Sequence, residues 1–94
     1  MQITKQNETF NFKDTTELYE TTGNINREET GSLNIHFTVN KIGGDYLGDC
    51  HYNRYSDNGN VNFGVNTAEE HRDELTTYAD SVIDYLLNHF NTIN

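Results

Sequence analysis

The 94-residue sequence predicts an α+β fold in which a three-stranded antiparallel sheet packs on a long C-terminal helix. Three observations predict it. Leu33, Ile35, Phe37 and Val39 alternate strictly with Asn34, His36, Thr38 and Asn40, the period-two pattern of a half-buried strand. Gly43-Gly44 and Asn58-Gly59 then punctuate the chain as hairpin turns do. Beyond Thr67 the period changes: Leu75, Tyr78, Ala79, Val82, Leu86 and Phe90 recur at three- and four-residue intervals, as on one face of a helix.

From the N-terminus, residues 2–12 alternate imperfectly around Ile3, Phe10 and Phe12 and leave room for a fourth strand at the sheet edge. Asp14 followed by Glu17 has the spacing of a capping pair, so a short helix through Leu18 and Tyr19 is expected, ending before Gly23. The polar run from Gly23 to Gly31 reads as a loop. The central strand over 33–40 follows, and Gly43-Gly44 turns the chain into a second strand over 46–55. The stretch DNGNVN at 57–62 has two readings. A calcium loop opened by Asp57 needs Gly at its sixth position and a bidentate Glu at its twelfth, where the chain has Asn62 and Ala68. Asn58-Gly59 instead suits a two-residue type I′ turn leading into a third strand through Val61, Phe63 and Val65.

Two-residue turns at both places set Phe37 opposite Cys50, Ile35 opposite Tyr52, Tyr52 opposite Val65 and Arg54 opposite Phe63. Both keep the apolar rows on one face, which a one-residue slip in either hairpin would not. Thr67 and Glu70 have capping-box spacing and open a helix of about six turns at 3.6 residues each.

No internal repeat, Pro or linker divides the chain, so residues 1–94 are read as a single domain. With 33% hydrophobic residues its core is thin, which leaves homodimerisation as an open route to stability. A single Cys excludes an intrachain disulfide. The opening MQITKQNETF lacks the pattern of a signal peptide and no apolar run reaches bilayer length, so a cytoplasmic location is expected. A net charge of -9 opposes binding to anionic lipid and direct binding to nucleic acid. GGDYLG at 43–48 has neither the spacing nor the Lys of a phosphate-binding loop. Cys50 falls on the inward row, where a thiol is an inert small hydrophobe. No cofactor is implied.

Two constellations remain. On the outer face the registers set His36 opposite His51, Asn66 at the same level on the next strand, and Asp49 opposite Thr38. Such a His-His-Asp cluster reads either as a transition-metal site or as a solvated polar face. Asn34, Asn40, Asn53 and Asn62, with Leu47 and Tyr55 among them, make that face rich in amides, which reads either as a hydrogen-bonding surface for a protein partner or as a simply hydrated one. The second constellation is acidic: Glu69, Glu70, Asp73, Glu74, Asp80 and Asp84 on the helix oppose only Arg72. Asp73, Asp80 and Asp84 share one face, about 10 and 6 Å apart along the axis at 1.5 Å per residue. Acids in the first turns complement the helix dipole, which accounts for Glu69, Glu70 and Asp73 but less well for Asp80 and Asp84.

In size, acidity, lack of Pro, lack of a catalytic motif and sheet-plus-helix organisation, the chain resembles the small inhibitors made by bacteriophages and mobile elements, the anti-CRISPR and antirestriction proteins. The resemblance is of class and carries over no residues. It implies a non-enzymatic protein, working in the cytoplasm of a host bacterial cell, that occupies the basic nucleic-acid channel of a CRISPR nuclease or restriction enzyme in the manner of a DNA mimic. The acidic helix residues would then be the partner-binding set. Two other classes stay open: a small metal-dependent enzyme using His36, His51 and Asp49, and a structural or oligomerisation module that pairs through an exposed sheet edge.

Overall fold

Six strands in simple chain order form one antiparallel meander in the computed structural model, which describes the backbone of residues 2–6, 9–28, 32–55 and 59–93. They are β1 (Gln2–Gln6), β2 (Thr9–Thr15), β3 (Tyr19–Arg27), β4 (Leu33–Lys41), β5 (Tyr46–Arg54) and β6 (Val61–Thr67). A 3-10 turn (Glu69–His71) leads into the helix α1 (Arg72–Ile93). The class is α+β, but the sheet is twice the size expected from the sequence, and no short helix precedes it among the described residues.

The expected helix around Leu18 and Tyr19 is instead a hairpin turn built by Thr16. Its N–H donates to the Tyr19 carbonyl at 2.9 Å, while its hydroxyl accepts from the N–H groups of Tyr19 (3.0 Å) and Leu18 (3.3 Å). A Thr hydroxyl that substitutes for a backbone acceptor makes a tight turn without Gly or Asn. Asp14 lies within β2 opposite Thr21, so no helix starts there. The segment from Gly23 onward, expected to be loop, continues β3 to Arg27, with Tyr19, Thr21 and Ile25 buried on alternate positions.

Phe12, Gly23, Phe37, Cys50 and Val65 form one inward row across the sheet, and Phe10, Ile25, Ile35, Tyr52 and Phe63 form the next. Gly23 is required in its row: a Cβ there would overlap the His36 carbonyl oxygen and the Phe37 Cβ. The rings of Phe12 and Phe37 meet across it, edge to face at 5.9 Å, and fill the space it leaves. Leu75, Ala79, Val82, Ile83 and Leu86 of α1 are buried against these rows, as the helical period predicts for four of the five. Gly48 on β5 lets the helix close, since a Cβ there would stand 2.7 Å from a Leu75 methyl. Tyr78 reaches β3, its hydroxyl 2.5 Å from the Thr21 hydroxyl and its ring 4.5 Å from that of Tyr19. Phe90's side chain lies outside the described residues.

The β4–β5 register is the expected one through its centre, with Phe37 opposite Cys50, His36 opposite His51 and Ile35 opposite Tyr52. It is reached differently. The Gly44 N–H donates to the Lys41 carbonyl and the Lys41 N–H to the Asp45 carbonyl, enclosing a three-residue loop with Gly43 and Gly44 at φ 104° and 109°. That loop alone would put Phe37 opposite an outward residue. A bulge between Val39 and Asn40 absorbs Leu47 as an extra residue and restores the pairing. Leu47, expected on the outer face, is buried as a result.

In the β5–β6 pair, Tyr52 faces Phe63 and Arg54 faces Val61, two residues from the expected partners. An even shift preserves the faces, so the apolar row stays inward. Both readings of DNGNVN fall partly on residues 56–58, outside those described. Thr67 does not cap the helix; it ends β6 and its hydroxyl donates to the Leu47 carbonyl at 2.7 Å, while Ala68 precedes the 3-10 turn without a side-chain cap. No helix among the described residues is long and apolar enough to cross a membrane.

Candidate functional site

Packing fixes which side of α1 meets solvent. Leu75, Ala79, Val82 and Leu86 bury one stripe, and the 100° step of the helix places Asp73, Asp80 and Asp84 on the opposite side. All six predicted acids, Glu69, Glu70, Asp73, Glu74, Asp80 and Asp84, are exposed. At the N-terminal end they are partly neutralised. Arg72 bridges Glu69 (3.3 Å) and Asp73 (3.5 Å), and His71 lies 3.4 Å from Glu70 and 3.6 Å from Glu74. Exposed pairs of this kind contribute little to stability, so the acids remain available to a stronger cation. The Tyr19 hydroxyl lies beside Glu74, and burial followed by this carboxylate raises its pKa. Asp80 and Asp84 stand beyond the turns that the helix dipole stabilises.

The outer sheet face carries three polar tiers. One runs Thr9, Asn26, Asn34, Asn53, Asn62; the next Asn11, Asn24, His36, His51, Gly64; the third Lys13, Thr22, Thr38, Asp49, Asn66. Thr9 and Asn26 are joined at 2.6 Å. Asn24 and Asn26 fall in the stretch the sequence reads as a loop, and Asn11 and Lys13 lie on β2, whose outward side pairs with them only once β3 is a strand. Their signal was present as the alternation of Asn11 and Lys13 with Phe10 and Phe12, and of Asn24 and Asn26 with Gly23 and Ile25. Asn11, Lys13, Thr22, Asn24, His36 and Thr38 border an open depression of about 430 Å³ over the backbone of Phe12 and Gly23.

His36 and His51 are directly paired across β4 and β5. Gly64, not Asn66, is opposite His51, and the His51 imidazole lies where a Gly64 Cβ would be, with Nε2 2.7 Å from that point. The ring therefore leans toward β6, while His36 borders the depression on the other side. Asp49 accepts a hydrogen bond from the Tyr46 hydroxyl at 2.9 Å, which raises the Tyr46 pKa. Among the described residues, no three His, Cys, Asp or Glu side chains come together in a group able to hold a metal ion. Cys50 is buried on the inward row, and loss of hydration, followed by the nearby Asp49 charge, pushes its thiol up to about 12. A thiol so held is not a nucleophile at neutral pH. No family model, curated protein or solved structure matches the chain.

Proposed function

We propose that the chain is a non-enzymatic acidic binding protein of the bacterial cytoplasm that inhibits a nucleic-acid-processing effector, such as a CRISPR nuclease or restriction enzyme, by occupying its basic nucleic-acid channel. One observation carries the reading: α1 presents Asp73, Asp80 and Asp84 on the side away from its buried stripe, with Glu69, Glu70 and Glu74 at its start and Arg72 as the one Arg or Lys on the helix. A rigid row of carboxylates presents anions to Arg and Lys side chains much as a phosphodiester strand does. The channel's cations would exchange one anionic partner for another, so the chain and nucleic acid exclude each other. The net charge of -9 steers encounter with a basic surface, and shape selects the enzyme. Among the described residues, His36, His51 and Asp49 do not form a group able to hold a metal ion, which makes a metal-dependent hydrolase the weaker second reading.

The test is a cleavage assay over a panel of purified CRISPR nucleases and restriction enzymes. Stoichiometric inhibition of one of them, relieved by excess duplex DNA added before the inhibitor, supports the proposal. Inhibition that excess DNA does not relieve, or none across the panel, counts against it.

A further inference from the structure

The meander leaves two free edges, and β6 is one of them. Its seven residues, VNFGVNT, hold no Pro and no charge, and they pair with β5 in one unbroken register. Proteins ordinarily blunt such an edge with Lys, Pro or a bulge, and β6 has none of these. The opposite edge, β1, carries Lys5. Val61 is 50% exposed, and Phe63 and Val65 are only half-buried. Leu87, also half-buried against the core, follows Tyr78 by nine residues, two and a half helical turns. It therefore lies on the flank of α1 away from the β3 contact that Tyr78 makes, and extends the apolar rim toward β6.

We propose that β6 pairs antiparallel with β6 of a second copy of this chain, joining the two sheets into one. Charge points to a second copy. Two chains of net charge -9 repel wherever acids meet, and residues 61–67 form a strip free of ionisable groups. Geometry sets the register. Directly opposed residues in an antiparallel pair lie on one face, so two identical strands about a two-fold axis must pair at an even offset. The register centred on Gly64 uses all seven residues. It sets Phe63 opposite the partner's Val65, an aromatic and β-branched pair on the apolar side, and Asn62 opposite the partner's Asn66 on the amide side. The pairing holds whatever α1 binds.

Sedimentation of the full chain tests it. Wild type is expected at twice the 10.8 kDa chain mass at about 100 μM, where an interface of micromolar Kd is filled. Asn62 and Asn66 are exposed, so charges there leave the core intact. N62K/N66K sets Lys against Lys twice across the axis and is expected to raise the dimer Kd at least tenfold. N62E/N66K sets Glu against Lys twice and is expected to keep or strengthen the dimer. A monomeric wild type overturns the proposal by itself. Equal behaviour of the two variants, dimeric or monomeric, overturns the β6 register.

Discussion

Replacing Phe37 by Ala removes the ring at the centre of the inward rows, and its cost follows from where that ring sits. Phe37 is fully buried, with Gly23 on one side and Cys50 on the other, and its ring meets Phe12 at 5.9 Å. Gly23 has no side chain to move into the void, and the backbone of two neighbouring strands closes around it. The transfer and cavity terms for a buried Phe together come to about 3–5 kcal/mol. A chain of this length has roughly 5–14 kcal/mol of stability at about 0.05–0.15 per residue, so the variant gives up between about a fifth of it and all of it. At about 4–8 °C per kcal/mol, the thermal midpoint should fall by roughly 12–40 °C. Urea unfolding followed by circular dichroism measures the change directly. Combining it with Phe12→Ala should recover about 0.5–1.5 kcal/mol of coupling from the lost edge-to-face pair. A loss below about 1 kcal/mol for Phe37→Ala would refute the placement of this row beneath α1.

Gly23→Ala should destabilise by about 1–3 kcal/mol or more, because the new methyl meets the β4 backbone; an unchanged urea midpoint would show that β3 and β4 are not packed as described. Alkaline pH should weaken the fold. The buried Cys50 thiol holds its proton to about pH 12, whereas the unfolded chain releases it near pH 9, so stability is whole below pH 9 and falls by up to about 1.4 kcal/mol per unit above it. The raised pKa values of Tyr19 and Tyr78 act with the same sign, and Cys50→Ala should flatten the first part of the decline in a melting series. Reversing Asp73, Asp80 and Asp84 to Lys should leave the circular dichroism spectrum intact and slow association with the inhibited enzyme at least tenfold, while the matched reversal of Glu17, Glu20 and Glu28 should not. Equal rates for the two triple variants in surface plasmon resonance would detach binding from the helix.

What the sequence disclosed tracks how cleanly each inward row is apolar. In β4, Leu33, Ile35, Phe37 and Val39 leave no gap in the alternation, and that strand and its pairing with β5 were legible. In β3 the same face carries Tyr19, Thr21, Gly23 and Ile25, where Thr21 is buried because Tyr78 takes up its hydroxyl, and Gly23 is only half-buried, with two phenyl rings meeting across it. Those compensations are tertiary, and local periodicity does not register them. The Asp14–Glu17 spacing imitated a cap, whereas Thr16 used its hydroxyl to close a hairpin. Both β5 registers depend on details beyond a turn dipeptide: a bulge at Leu47 on one side and a two-residue offset on the other. The acidic stripe of α1 was legible because helical period alone sets its direction. The lean of the His51 ring toward β6 was not, since it follows from Gly64 standing where Asn66 was expected.

The central claim, that α1 takes the place of nucleic acid, is tested most directly by asking whether one enzyme molecule can hold both. A labelled duplex bound to the inhibited nuclease is titrated with the chain, and fluorescence anisotropy and native mass spectrometry are read on the same samples. The account predicts stoichiometric release of the duplex and no ternary complex, with the chain's own affinity falling as salt rises because exposed charges are screened over about 8 Å at physiological ionic strength. A stable complex containing enzyme, duplex and chain together would contradict it and would move the partner-binding surface to the amide tiers of the outer sheet face.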